Sequence, residues 1–103
     1  MKRNFLLESA VVFEPANTSL RLDYVGILRK RQKLLEASEQ ALGLFNSDPG
    51  NVQFKSQYAV IQMQLGDYET ALRLFDEVLT DIPGEPVTLT SKGHALKTIG
   101  KTD

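Results

Sequence analysis

The sequence has no cysteine, no tryptophan, one histidine and no surplus of either charge. Without cysteine, the chain forms no disulfide, zinc-thiolate site or thiol nucleophile. The one histidine, His94, has no companions at the spacing that a metal site or a general base needs. A formal net charge of −1 over 103 residues offers no clustered cations for binding phosphate. We therefore expect no catalytic residue, no metal or cofactor, and no nucleic-acid partner.

Long apolar runs are also missing. No stretch approaches the roughly 18 apolar residues that span a bilayer. The start of the chain has the outline of a secretory signal, with Lys2 and Arg3 ahead of apolar residues. However, Glu8 and Ser9 interrupt the apolar run, and no small-x-small cleavage site follows it. We expect a cytoplasmic chain with no membrane partner.

What the sequence does have is a period. Pro15, Pro49 and Pro83 stand thirty-four residues apart, and each closes a run that indicates the end of a helix. A fixed period of about 34 residues is typical of helix–turn–helix repeat arrays, in which neighbouring units cover each other's apolar faces. With 42% hydrophobic and 24% charged residues, the composition fits one soluble domain. The period therefore favours a binding scaffold over a catalyst.

Apolar residues recur on the same frame. Ala10, Leu44 and Val78 each stand five residues before a proline, and Tyr24 of one unit matches Tyr58 of the next. Apolar spacing at i, i+4 and i+7 places such residues on the core face of a helix. The frame predicts about six helices, over residues 2–13, 18–31, 35–47, 52–65, 68–81 and 86–99.

The turns between paired helices recur as well. Gly66 stands just past a predicted helix end, and Gly100 repeats it thirty-four residues later. Glycine at this place ends helices because it adopts the left-handed conformation without steric cost. The first unit has Arg31-Gln32-Lys33-Leu34 in the corresponding turn, without glycine. We expect the same turn there, with a less favourable C-cap.

The stretch from Gln64 to Pro83 resembles a tetratricopeptide repeat (TPR). The residues that fill the places of the family pattern are Gly66, Tyr68, Ala71, Phe75, Val78 and Pro83. The first unit departs from the pattern at Ala41, where the family has an aromatic residue. The tryptophan of the first helix is replaced by Arg21, Lys55 and Leu89. The resemblance implies an all-α fold, a right-handed α-solenoid of antiparallel helix pairs.

The resemblance also divides the chain into units. These are a half repeat over 1–17, full repeats over 18–51 and 52–85, and a half repeat over 86–103. Leu89, Leu96 and Ile99 leave the last helix apolar where a partner helix should pack. We expect the chain to be a fragment of a longer array whose exposed terminal helices self-associate.

A site follows from the same resemblance. Such arrays bind a peptide or partner protein in a concave groove, which here would be lined by Leu22, Arg29, Lys30, Ser56, Val60, Met63, Gln64, Thr90, His94 and Lys97. Arg29, Lys30 and Lys97 would bind an acidic segment or a terminal carboxylate over an apolar floor formed by Val60 and Met63. The alternative is that the three cations are only solvated.

A further resemblance covers residues 91–103, which are similar to the TPR region ahead of a sulfotransferase domain in some bacterial proteins. It implies that this chain is not itself an enzyme and that catalysis belongs to a domain outside it. Three functions stay open at this point. They are a protein-interaction scaffold, a regulatory or substrate-presenting segment of a larger enzyme such as a sulfotransferase, and a structural or oligomerisation spacer.

Overall fold

Five consecutive α-helices make up the part of the protein that the computed structural model describes, residues 18–102. They are α1 (Thr18–Lys30), α2 (Leu34–Ser47), α3 (Val52–Leu65), α4 (Tyr68–Asp81) and α5 (Pro86–Thr102). Each helix packs on the next, and α5 also contacts α3. No strand occurs within the described residues, so the predicted all-α fold is confirmed. The helix predicted over 2–13 lies outside them.

Proline follows the second helix of each described pair, as predicted. α2 and α4 both stop two residues before a proline, at Pro49 and Pro83 respectively. Proline does not continue a helix, because it lacks an N–H and disfavours the helical conformation in the residue before it. Pro15 lies outside the described residues.

A polar N-cap follows each of these prolines. Asn51 Oδ1 accepts a hydrogen bond from the N–H of Phe54 at 3.2 Å and starts α3. The carboxylate of Glu85 starts α5 by accepting from the N–H of Val87 at 3.2 Å, the N–H of Thr88 at 2.6 Å, and the Thr88 hydroxyl. The hydrogen bonds from Thr88 are the main cause of the lowered pKa of Glu85. Both caps satisfy N–H groups that the first helical turn leaves without partners.

The turns inside the two helix pairs have the same backbone path. Gly66 has φ of 93° and Gln32 has φ of 62°. In each turn the N–H of the next residue donates back across the helix end, at 2.8 Å from Asp67 and 2.9 Å from Lys33. This is the Schellman arrangement of a helix C-terminus. The predicted turn is confirmed, and Gln32 bears the steric cost that glycine avoids.

The prediction that Gly100 ends the last helix is wrong. α5 continues from Pro86 to Thr102, three residues past the predicted end at residue 99, and Gly100 does not adopt positive φ. Asp67 comes after Gly66 and caps α4 by accepting from the N–H of Thr70 at 3.2 Å. A lysine follows Gly100, but a lysine also follows Gln32, where the turn forms without a side-chain cap. Both turns that form are followed by a helix that packs back on the one before it, and within the described residues no such helix follows Gly100.

Two clusters of buried side chains hold the helices together. The first lies between α1, α2 and α3 and consists of Tyr24, Val25, Leu28, Ala37, Ala41, Leu44, Phe54 and Ile61. The second lies between α3 and α4 and consists of Ala59, Ala71, Leu74 and Phe75. Ala71 is fully buried and small, which lets α4 approach α3 closely. Phe75 fills the second cluster at the position that Ala41 occupies in the first pair.

Candidate functional site

An open cavity of about 550 Å³ lies between α3 and α5, and we call it the central groove. Its walls come from the end of α1, the first half of α3, the end of α4 and the start of α5. The lining residues are Arg29, Val52, Gln53, Ser56, Gln57, Val60, Val78, Ile82, Glu85 and Val87. Because four helices contribute, the groove exists only in the packed array.

Half of this lining is aliphatic. The contributing side chains are Val52, Val60, Val78, Ile82 and Val87. Val78 is fully buried and forms the floor, whereas Ile82 and Val87 are exposed at the rim. Exposed aliphatic groups around a concave floor offer burial to an apolar side chain of a ligand, at about 25 cal/mol per Å² of area removed from water.

Arg29, the cation of the groove, is held in place by a hydrogen bond to α3. Arg29 Nη1 donates a hydrogen bond to Gln57 Oε1 at 3.0 Å, which links α1 to α3. Within the described residues Arg29 forms no salt bridge. A guanidinium has five N–H donors in a planar fork. Donors therefore remain for a ligand carboxylate, and their direction is already restricted by Gln57.

Glu85, the acidic residue of the groove, caps the N-terminus of α5. The Glu85 carboxylate accepts three hydrogen bonds from the first turn of α5, and these keep its pKa low. It stays ionised, and its lone pairs are directed at the helix N-terminus, which favours a negative charge. Of the two charged side chains that line the groove, Arg29 is the one with most of its hydrogen-bonding capacity unused.

The structure brings three of the ten predicted groove residues together in the central groove: Arg29, Ser56 and Val60. Two others contribute to the core. Leu22 packs against the first buried cluster and Met63 against the second, and both are partly buried. Val60 also packs against the second cluster, so it serves both the groove and the core.

The other five predicted residues do not line this cavity. Lys30 and Gln64 are exposed near the ends of α1 and α3. Thr90 lies beside Pro86, Val87 and Ser91 in a shallow depression on α5. His94 and Lys97 are exposed one and two turns further along the same helix.

Sequence reasoning missed several lining residues. Val78, Ile82 and Glu85 come from the end of α4 and the turn after it, whereas the family frame assigns the groove to first helices. Val52 had a signal in the sequence, because Val52, Ser56 and Val60 stand at i, i+4 and i+8 on one face of α3. The lining residues from α4 had no such signal in the sequence, since their position depends on how the helix pairs pack.

Other kinds of site find no support in the described part of the chain. No group of three or more His, Cys, Asp or Glu side chains there is placed to hold a metal ion. None of the helices described is both long enough and apolar enough to cross a membrane.

Comparison with known proteins concerns the fold. No protein-family model matches the sequence, and no curated protein is significantly similar to it. Among solved structures, the chain is similar to the crystal structure of a tetratricopeptide repeat protein from Parabacteroides merdae, with a TM-score of 0.80 and 24% sequence identity. The similarity covers 94% of this chain and 39% of that protein, so this chain spans well under half of its length. The protein therefore has the tetratricopeptide-repeat fold, an α-solenoid of helix pairs.

Proposed function

We propose that the protein is an interaction scaffold whose central groove binds a short segment of a partner protein. The fold itself is typical of protein-interaction scaffolds and not of catalysts. The observation that carries the proposal is the combination, in one open cavity, of an aliphatic lining with a guanidinium held by Gln57. This combination accommodates one branched apolar side chain next to one carboxylate.

The ligand class follows from these two features. An aliphatic side chain of the partner would lie over Val78 between the exposed Ile82 and Val87. A neighbouring carboxylate would accept hydrogen bonds from Arg29, in the bidentate manner that suits a guanidinium. Lys30, exposed beside Arg29, adds positive potential that raises the rate of association with an acidic segment. A longer segment would continue along α5 past Thr90 toward His94 and Lys97.

The test uses synthetic peptides as probes. One set pairs isoleucine or leucine with adjacent acidic residues, and a control set has lysine in place of the acid. Arg29→Glu should weaken binding of the acidic set by at least about tenfold, because it puts like charges together. The matched control is Arg31→Glu, which makes the same charge change at an exposed position two residues away, outside the groove lining.

A second variant tests the apolar half of the groove. Val87→Asp places a charge on the exposed rim without disturbing a buried residue, and it should also weaken binding. Resonances of Ser56, Val60 and Val87 should shift on peptide addition, while those of Leu35, which is exposed on α2 and does not line the groove, should not. If both variants bind the acidic peptides as tightly as the unaltered protein does, the groove is not the binding site.

A role as an oligomerisation element is the second candidate function. It is favoured by the half-exposed leucines Leu89 and Leu96 on α5. The narrower hypothesis that the array serves a sulfotransferase stays a prediction, supported by the resemblance of residues 91–103 alone.

A further inference from the structure

The turn between α1 and α2 follows the same backbone path as the turn between α3 and α4, but its side chains are of a different kind. In the α3–α4 turn each residue suits its position. Gly66 adopts φ of 93°, Asp67 caps α4, and Glu69 lies in the first turn of that helix. Glycine at positive φ, a capping carboxylate and an acidic first turn all stabilise this arrangement.

None of these stabilising residues occurs in the α1–α2 turn. The residues at the three matched positions, thirty-four residues earlier, are Gln32, Lys33 and Leu35. Gln32 has φ of 62°, Lys33 forms no side-chain cap, and Leu35 is 73% exposed. Natural sequences depart from such local rules mainly at functional sites. The departure indicates that these side chains serve a contact outside the folded chain.

Three cations without ion pairs meet at this turn. Lys30, Arg31 and Lys33 are exposed, and within the described residues none of them forms a salt bridge. The cations that do form salt bridges there are Lys55, Arg73 and Lys92. The dipole of α1 favours Lys30 at its C-terminus, whereas the dipole of α2 disfavours Lys33 at its N-terminus. Helix stability thus explains Lys30 but not Lys33.

An apolar side chain projects beside these cations. Leu35 is more exposed than any other large apolar side chain among the described residues. It lines an open depression of about 410 Å³, whose other lining residues are Gln32, Lys33, Leu34, Glu36 and Leu65. We call Lys30, Arg31, Lys33 and Leu35 the basic turn. It combines a projecting leucine with flanking positive charge.

We propose that the basic turn binds the surface of an anionic lipid bilayer. Its three cations lie among the headgroups, and Leu35 enters the boundary between headgroups and acyl chains, where apolar residues of surface-bound segments are buried. This differs from the expectation of no membrane partner, which rests on the lack of a stretch long enough to span a bilayer. Contact with the bilayer surface needs no spanning helix.

The size of the basic turn favours a bilayer over a protein partner. A specific protein interface uses about 800 Å² and about 20 to 30 residues on each side, whereas the basic turn is a single tip of four side chains. A bilayer surface accepts such a tip, and each Lys or Arg near an anionic surface raises binding by about fivefold. Three cations and the carboxylate of Glu36 leave two net positive charges, which favour an anionic over a neutral bilayer by about 25-fold.

Binding through the basic turn leaves the central groove open. The depression beside Leu35 and the central groove have no lining residue in common. A chain on a bilayer would therefore keep its groove free for a partner segment, and the scaffold would be held at a membrane.

The experiment measures co-sedimentation of the full 103-residue chain with phosphatidylcholine vesicles that contain or lack phosphatidylserine. At low salt the unaltered protein should bind the vesicles with phosphatidylserine at least about tenfold more tightly, and added salt should reduce this preference. Leu35→Ser should weaken binding by about fivefold, because it removes the apolar side chain without a change in charge. Methyl resonances of Leu35 should broaden with these vesicles only.

The decisive variant gives this turn the residues of the α3–α4 turn. Gln32→Gly, Lys33→Asp and Leu35→Glu together supply glycine at positive φ, a capping carboxylate and an acidic first turn, so the chain should melt at a higher temperature. The same variant should bind the vesicles with phosphatidylserine at least about tenfold more weakly, because the net positive charge and the leucine are lost. A loss of binding with a gain in stability does not come from unfolding.

The matched control is Lys97→Glu, which makes the same charge change as Lys33→Asp at an exposed lysine on α5. It should bind vesicles as the unaltered protein does. Equal losses for Lys97→Glu and Lys33→Asp would show that only net charge matters and would overturn the proposal. A chain that shows no preference for phosphatidylserine at low salt overturns it as well. So does a chain that binds soluble polyglutamate through this turn but does not bind vesicles, since that result assigns the basic turn to an acidic protein.

Discussion

Replacing Lys55 by methionine should leave the free energy of unfolding within about 1 kcal/mol of the unaltered protein, whereas removing its two carboxylate partners should cost more. Lys55 is only 7% exposed on α3, at the position where the family has tryptophan. Its ammonium lies 3.3 Å from Glu77 Oε1 and 3.9 Å from Asp81 Oδ2 on α4. The two sides of this contact differ in their access to water, and that difference sets the expected energies.

The carboxylates can be hydrated when the lysine is absent. The Glu77 side chain is 43% exposed and that of Asp81 is 48% exposed, and Glu77 keeps Arg73 at 3.2 Å. Methionine preserves the packing of the buried aliphatic stem of Lys55. The reverse change, Glu77→Gln with Asp81→Asn, leaves a largely buried ammonium without an anion. The free energy of unfolding should fall by about 2 kcal/mol. This is a small loss for an unpaired buried charge, because water reaches the rim of the site.

Urea denaturation followed by far-ultraviolet circular dichroism measures these differences. Adding Lys55→Met to the Glu77→Gln, Asp81→Asn variant should restore most of the lost stability, since no unpaired charge then remains. Arg73→Gln serves as the control, because it removes an exposed i, i+4 pair worth about 0.5 kcal/mol or less. The reasoning fails if Lys55→Met is as destabilising as the loss of both carboxylates, or if the triple variant is no more stable than the double.

Three further predictions concern helix ends and glycines. Gly93→Ala should stabilise the chain by about 0.5 to 1 kcal/mol in thermal melts, because the added methyl meets nothing in the folded chain and alanine favours the helix. Gln32→Gly should stabilise the chain by about 1 kcal/mol, because φ is 62° there and glycine adopts positive φ without steric cost. For the same reason Gly66→Ala should destabilise it, because φ is 93° at that position. Hydrogen bonds from Thr70 lower the pKa of Asp67 below its ordinary value of 3.8. The ionised cap therefore contributes its full stability above about pH 3.8, and this stability is lost as the pH falls through the pKa that Asp67 has in the folded protein. Melting temperatures measured across that range should therefore fall more steeply for the unaltered protein than for Asp67→Asn, which does not titrate.

Much of the fold follows from local chemistry that the sequence displays. The prolines and the Gly66 turn locate helix ends because backbone restrictions act within a few residues. Gly100 shows the limit of such local signals. A glycine permits the left-handed turn but does not require it, and the turns at Gln32 and Gly66 are each followed by a helix that packs back on the one before it.

The groove was less accessible to sequence reasoning because its lining depends on tertiary packing. Arg29, Ser56 and Val60 were found because a first-helix stripe repeats along the chain. Ile82 and Glu85 belong to the end of a second helix and the following turn, and the helical period does not show that they face the same cavity. The hydrogen bond between Arg29 and Gln57 joins residues on different helices, so the spacing of residues along one helix does not predict it.

The position that the family fills with tryptophan shows how neighbouring helices depend on each other here. In the first pair, Arg21 lies over Gly43, and a Cβ added to that glycine would come within 2.6 Å of the guanidinium. Arg21 Nε is buried without a hydrogen-bond partner in the described part of the chain. The second pair has Glu77 in the place of Gly43 and the smaller cation Lys55 in the place of the arginine. The guanidinium is the far end of a flexible side chain, so a larger residue at position 43 would displace it. Exchanging α2 and α4 would place Glu77 beside Arg21, with which it can pair, and would leave Lys55 without Glu77 and Asp81. The cost of the exchange therefore falls on the buried ammonium of Lys55, and this cost favours one order of helices along the array.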